Sequence, residues 1–277
     1  MKKIILFLFI LYYPYIVVSQ NNIKIKVKAN GIEKLENVVV CNLSNKYFNY
    51  TNSNGEIVVV YSSLNDIIKF IYPFYEETSF SIDQILKNNN SIELVQKTIN
   101  LDEVLLIKKG SLKKEKQFIY KPKQRKNYYS KFISSGGAMV SSYVHKKGKF
   151  NKLKSISFFI DTSSFVSDGI QIRPILKKII DNNLTSLAET NEAVVINKNN
   201  KEINIELTNM DLVLKENEKY YFGFELIDNS KQNEVAVLSF NSKKAMTYIK
   251  SNPVAEFVPL EKVDHSFSIY FELYLSE

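Results

Sequence analysis

Apolar and polar positions alternate along much of this chain, with the period of a strand rather than a helix. Ile23-Lys-Ile-Lys-Val-Lys-Ala29 sets Ile23, Ile25, Val27 and Ala29 against three lysines, the signature of a strand with one buried face. Asn30-Gly31 ends the alternation with a turn that tolerates positive φ. Residues 38–43, 56–61, 67–75, 78–82, 92–95 and 101–107 extend the β-rich pattern, with Thr51-Asn-Ser-Asn-Gly55 as a polar turn between two of them. Only 81–87 offers a helical turn, with Asp83 near its start. Six or seven short strands with turns between them predict a small antiparallel sandwich.

A second β-rich stretch follows. Residues 152–160 alternate and then become fully apolar, Asp168-Gly169 makes a turn, and 170–176 reads as a strand that Pro174 would place at an edge or bulge. Residues 193–196, 202–207, 220–226 and 234–240 come at sandwich-like spacing, and 266–275 closes the chain with strict alternation. Residues 242–250 suggest a short helix, because Ala245, Met246 and Ile249 fall three or four apart. The fold class expected is all-β: two antiparallel β-sandwich domains, the first of seven strands and the second jelly-roll-like.

The first twenty residues break the pattern. Lys2 and Lys3 precede an apolar run over 4–18, and Ser19-Gln20 leads into polar Asn21-Asn22, the design of a secretory signal. The run falls short of the ~20 apolar residues a spanning helix needs. The expectation is an exported protein, in the periplasm, at the outer membrane or secreted, with a mature chain of about 257 residues and no transmembrane segment after cleavage.

Charge is concentrated. The chain carries 37 Lys plus Arg against 29 Asp plus Glu, a formal +8. Lys108, Lys109, Lys113, Lys114, Lys116, Lys121, Lys123, Arg125 and Lys126 face Glu115 alone, so this one segment holds most of the excess. It reads as a basic linker over 108–127 and a candidate interaction segment for anionic surfaces. The domain division is therefore 1–20 signal, 21–107 first domain, 108–127 linker and 128–277 second domain. No nucleic-acid reading module accompanies the basic block, so nucleic acid is not an expected partner.

The first part resembles a known family. Leu35-Glu-Asn-Val-Val-Val-Cys-Asn42, Thr51-Asn-Ser-Asn-Gly-Glu-Ile57, Ile68-Lys-Phe-Ile-Tyr-Pro-Phe-Tyr75 and Leu101-Asp-Glu-Val104 occur in the order found in the carboxypeptidase-like regulatory domain of exported Bacteroidetes proteins. The resemblance covers 22–107 and implies a transthyretin-like, non-catalytic sandwich. Tyr75 matches the Tyr of the family's Gly-Tyr pair, but Phe74 stands in place of the Gly. The second part resembles the C-terminal β-sandwich that accompanies this domain in a group of Bacteroidetes proteins with no established reaction. The matching pieces are Gly136-Gly137, Lys154-Ser-Ile-Ser-Phe158, Ile172-Arg173 and Tyr221-Phe-Gly-Phe-Glu225, with Phe257 at an aromatic position often occupied by Trp.

Candidate chemistry is sparse. One Cys and two His leave no basis for a disulfide framework, a Cys-rich metal site or a histidine metal centre, and no cofactor is implied. Ser141, Ser142 and His145 lie close in sequence without a nucleophile elbow, and His145 among Lys146, Lys147 and Lys149 reads as solvated. Thr51–Gly55 lacks the acidic ligands of a calcium loop, and adjacent Asp102 and Glu103 point to opposite faces of a strand. Arg173 with Glu225 is a candidate buried ion pair. Arg173, Asp264 and His265 form a weaker alternative site. Tyr128-Tyr129 and Tyr220-Tyr221 could stack on a glycan, a reading disfavoured by the absence of Trp. The expectation is a non-catalytic envelope protein that binds a protein or surface component. The alternative is a carbohydrate-binding or hydrolase accessory using the second sandwich.

Overall fold

A computed structural model describes residues 21–97 apart from 32, then 117–120, and 128–277 apart from 135, 147, 149–150, 161–168, 181–182, 189, 191–192, 198–201, 208–211, 229–233, 242–245, 261–266, 270 and 277. The fold is all-β, with one short helix among the described residues.

The first half contains β1 (Asn21–Ala29), β2 (Glu33–Lys34), β3 (Val39–Asn42), β4 (Tyr47–Tyr50), β5 (Glu56–Tyr61), β6 (Ile67–Ile71), β7 (Thr78–Ser81), α1 (Ile82–Lys87) and β8 (Ser91–Leu94). One sheet runs β2-β1-β5 with β8 also on β1, and the other runs β4-β3-β6-β7. The pairings are antiparallel except β1 with β8. β1 obeys its sequence pattern, with Ile23, Ile25, Val27 and Ala29 buried and the lysines outside. These four share the first core with their sheet neighbours Ile57 and Ile92 and with Val40, Phe70 and Ile85. Each fully buried Ile or Val contributes about 1.5–3 kcal/mol.

Local chemistry sets the turns. Asn30 and Gly31 both take positive φ, as the Asn-Gly turn requires. In the turn before β5 the Asn52 side-chain oxygen accepts from Asn54 N and Glu56 N, an Asx arrangement rather than a calcium loop. Ser81 caps α1 in a reciprocal capping box with Gln84. Phe74, standing where the family resemblance places Gly, adopts φ of 67°, a left-handed conformation that costs a side-chain-bearing residue about 1–2 kcal/mol.

The second half contains β9 (Gln117–Tyr120), β10 (Tyr128–Ser134), β11 (Ala138–Val144), β12 (Lys152–Phe159), β13 (Ile170–Ile180), β14 (Asn183–Ala188), β15 (Val194–Ile196), β16 (Glu202–Glu206), β17 (Lys219–Ile227), β18 (Glu234–Asn241), β19 (Thr247–Lys250), β20 (Val258–Pro259), β21 (Phe267–Ile269) and β22 (Phe271–Ser276). The largest sheet runs β14-β13-β17-β11-β19-β20 with β15 also on β13, and two smaller sheets run β16-β12-β22-β9 and β10-β18-β21. Their inner faces meet in a second core where Phe158, Phe222, Phe224, Phe271, Leu273 and Val237 are buried.

Several expectations change. The first half has two strands beyond the pattern: β2 and β4 were not foreseen, whereas 101–107 lies outside the described residues. Residues 117–120, placed in the basic linker, form an edge strand on β22, so that segment is not a tether throughout. Thr247–Lys250, placed in a short helix, is a strand paired with β11 and β20, since tertiary pairing overrides a weak helical spacing. His145, expected in solvent, is 3% exposed: its Nδ1 meets the Tyr143 hydroxyl at 3.1 Å, and its backbone pairs with Glu218 and Asn217. The neighbouring lysines describe the chain around it, not the ring. Tyr220 and Tyr221 are both fully buried, so that pair offers no stacking platform. The Tyr128-Tyr129 side chains lie outside the described residues.

Candidate functional site

The site begins with a gap in a sheet. On the flank of β13 opposite β17, β15 pairs with Ile170–Ile172 and β14 with Leu176–Ile180, so that among the described residues 173–175 have no strand partner on that side. Pro174 sits in this gap, opposite Phe224 of β17. Leu226 exchanges backbone bonds with Gly136 and Gly137. By antiparallel alternation Phe224 also turns its backbone toward β11, so the nitrogen of Pro174 faces the gap and its missing N–H leaves no carbonyl bereft. The sequence placed Pro174 at an edge or bulge; β13 lies inside its sheet, and its register shifts two residues on, between Leu176 and Lys177.

The first half packs over this region. Val39, Tyr50 and Ile227 form a small apolar cluster flanked by Phe48 and Ile71. Phe48 approaches Gly136 so closely that a Cβ there would lie 2.5 Å from its ring. Polar contacts fix the register between the halves. Asn37, held at φ of 60°, donates from Nδ2 to Gln171 Oε1 at 2.6 Å, and its backbone carbonyl accepts from Arg173 Nη2 at 2.8 Å. The Arg173 guanidinium also lies 5.7 Å from the centre of the Tyr72 ring. The Tyr50 hydroxyl donates to Leu226 O at 3.4 Å; burial pushes its pKa well up, and the nearby Glu225 carboxylate adds to that.

Arg173 and Glu225 are direct cross-strand partners, both buried, as the sequence suggested. They do not form the expected ion pair. Glu225 turns to Lys250 at 3.6 Å, while Arg173 turns to Asn37 and Tyr72 and leaves its Nε sealed from solvent without a hydrogen-bond partner. Register explains the chain of charge: Arg173 faces Glu225, Glu225 faces Ala138, and Ala138 faces Lys250, one row across four strands on the outer side of the sheet.

Beside this row a cavity of about 180 Å³ opens between the halves. The first half lines it with Val39, Tyr72, Pro73 and Lys97, and the second with Arg173, Lys177, Glu225, Lys250 and Phe257 among others. Lys177 and Lys250 hold their ammonium groups 5.3 and 5.6 Å from the centre of the Phe257 ring. Among the described lining residues, Lys97, Arg173, Lys177 and Lys250 stand beside Glu77 and Glu225. Glu77 is already engaged by Lys69 at 2.7 Å.

Of the expected alternative site, Arg173 is present at this cleft, whereas Asp264 and His265 lie outside the described residues. So do all nine basic residues from Lys108 to Lys126. Ser141 and Ser142 bond to Thr247 and Met246 instead of to His145. Among the described residues no group of His, Cys, Asp and Glu could hold a metal ion, and no helix is long and apolar enough to cross a membrane.

No family model matches the chain, and no curated protein matches it. Among solved structures it is similar to the cysteine protease and lectin-like domains of Cwp84, a surface layer associated protein of Clostridium difficile, at 14% identity and a TM-score of 0.36, over 53% of this chain and 36% of that one. It is also similar to the structure of infectious bursal disease virus Gx strain, at 10% identity and a TM-score of 0.26, over 93% of this chain and 59% of that one. The chain thus spans about a third and three-fifths of these two chains, and likenesses this distant carry no functional argument.

Proposed function

We propose that this chain is a non-catalytic, exported cell-envelope protein that works as a binding module for a protein or surface component. In this reading the cleft between its β halves is the receptor surface. The observation that carries the reading is the half-buried polar lock of Asn37 with Gln171 and Arg173, which holds the halves in one register around the cleft. A binding surface built from two cores needs such fixing, because a pre-set geometry spares the ordering cost of association. The apolar run over 4–18 supports export, and the resemblance of 22–107 to the carboxypeptidase-like regulatory domain supports a transthyretin-like, non-catalytic first half. The basic segment from Lys108 to Lys126 supports approach to an anionic surface.

The test is in-cell crosslinking of the tagged full-length protein, followed by fractionation and mass spectrometry. A reproducible outer-membrane or secreted partner, released by Asn37→Asp or by Lys-to-Gln changes across 108–126, is the expected result. Substitution is preferred to deletion, because deletion would remove β9 from its sheet. Recovery as a free species without partners would overturn the reading, and a captured polysaccharide would move it to the glycan-binding alternative.

A further inference from the structure

The geometry points to the cleft as a binding site for a small organic carboxylate with an apolar body. The inference rests on reading the cleft as the receptor surface and adds the chemistry of what it receives.

Three observations converge. First, Arg173 is 5% exposed, and its guanidinium is met by one backbone carbonyl and one ring face, with Nε unpartnered. A buried cation is costly unless an anion and hydrogen bonds compensate it. The carboxylate placed across from it by register, Glu225, is instead engaged by Lys250. Second, Lys177 and Lys250 both line the same cavity and both hold their ammonium groups near the Phe257 ring, so further cations stand close to Arg173. Third, Val39, Ile71, Pro73, Ile175 and Pro253 line the remaining wall. A planar guanidinium matches a planar carboxylate in a two-pronged contact, and the apolar wall favours a hydrocarbon or ring attached to it. The volume lies below the roughly 300–1,000 Å³ of sites for drug-sized molecules, so the ligand is small, or is one carboxylate-bearing side chain of a larger partner.

Phosphate shares the charge but not the rest. It has no apolar body to cover the wall.

The experiment is calorimetric titration of the full chain with benzoate, hexanoate and inorganic phosphate at fixed ionic strength. Saturable binding of benzoate or hexanoate, with phosphate at least about tenfold weaker, is the expected result. Arg173→Lys keeps the charge and removes the fork, and weakens carboxylate binding about tenfold or more. Should that variant fail to fold, Lys177→Met and Lys250→Met carry the test, each weakening binding several-fold. No saturable carboxylate binding, binding unchanged in these variants, or phosphate equal to benzoate would each overturn the inference. These outcomes are independent of partner capture. A captured macromolecule with no carboxylate binding refutes only the ligand chemistry, whereas failure of both removes the binding-module reading too.

Discussion

Gly223 occupies the middle of β17, and a methyl group there tests the sheet directly. A Cβ at this position would lie 1.8 Å from the carbonyl oxygen of Met139 and 2.7 Å from the Cα of Val140, both backbone of β11. Contacts under 3.0 Å are not tolerated, so β11 would have to retreat by more than 1 Å, and no side-chain rotation can relieve it. Overpacking of a well-filled site costs about 1–3 kcal/mol, and weakening one or two ladder hydrogen bonds adds about 1 kcal/mol each. Gly223→Ala should therefore lose about 2–5 kcal/mol. Gly169 is the control, since it has open space around it but φ of +88°. Gly169→Ala should lose only the conformational penalty, about 1–2 kcal/mol. The assay is urea unfolding of the full chain, followed by far-UV circular dichroism and tyrosine fluorescence because the chain has no Trp. A Gly223→Ala variant within about 1 kcal/mol of wild type, or one less affected than Gly169→Ala, would refute the reasoning.

Asn37→Ala should cost about 1–2 kcal/mol, from the lost bond to Gln171 and from Ala at φ of 60°, while Asn37→Gly should cost less because glycine adopts positive φ without strain and both keep the carbonyl that receives Arg173; urea midpoints of the two variants decide. Burial lowers the pKa of His145 below its ordinary 6.5, so the folded state resists its protonation. That contribution is fully present above about pH 6.5 and is lost as the pH falls from there through the folded value, a window above that of Glu56 and Asp66, whose pKa values are also lowered. Unfolding midpoints at pH 7.5 and 5.5 should drop in the wild type and drop less in His145→Asn, and an equal drop in both would reject the assignment.

Much of the fold was legible because its cause is local. β1 alternates over seven residues with a buried partner at every second position, and no other period fits. Ser81 with Gln84 is a cap written within four residues. β17 reads as one apolar run because both of its faces are covered, the inner by the second core and the outer by Tyr248 at Tyr221 and by Val39 and Tyr50 at Ile227. β4 escaped notice because Tyr47-Phe-Asn-Tyr50 has no alternation of its own and only partly buries its first three residues. The cleft was legible in fragments. Arg173, Glu225 and Phe257 were each singled out, but what brings them together with Tyr72 and Lys250 is strand order and the docking of two cores, neither of which any short window contains. His145 was misread for a related reason: its burial comes from distant strands, whereas its lysine neighbours describe only the local chain.

The pairing of β9 with β22 bears on how the chain is made. Among the described residues the first core takes its last member from Leu94, so its side chains are all made before those of the second half. The sheet that holds Phe158 and Leu273 cannot be completed until the last strand, ending at Ser276, is available to sit between β9 and β12. Synthesis therefore yields a finished N-terminal sandwich trailing an unfinished one, with Gln117–Tyr120 emerging roughly 150 residues ahead of the strand it must join, a long closure that slows its formation. Removal of Phe271–Ser276 should leave the first core intact and the second open, because that one strand joins β12 to β9.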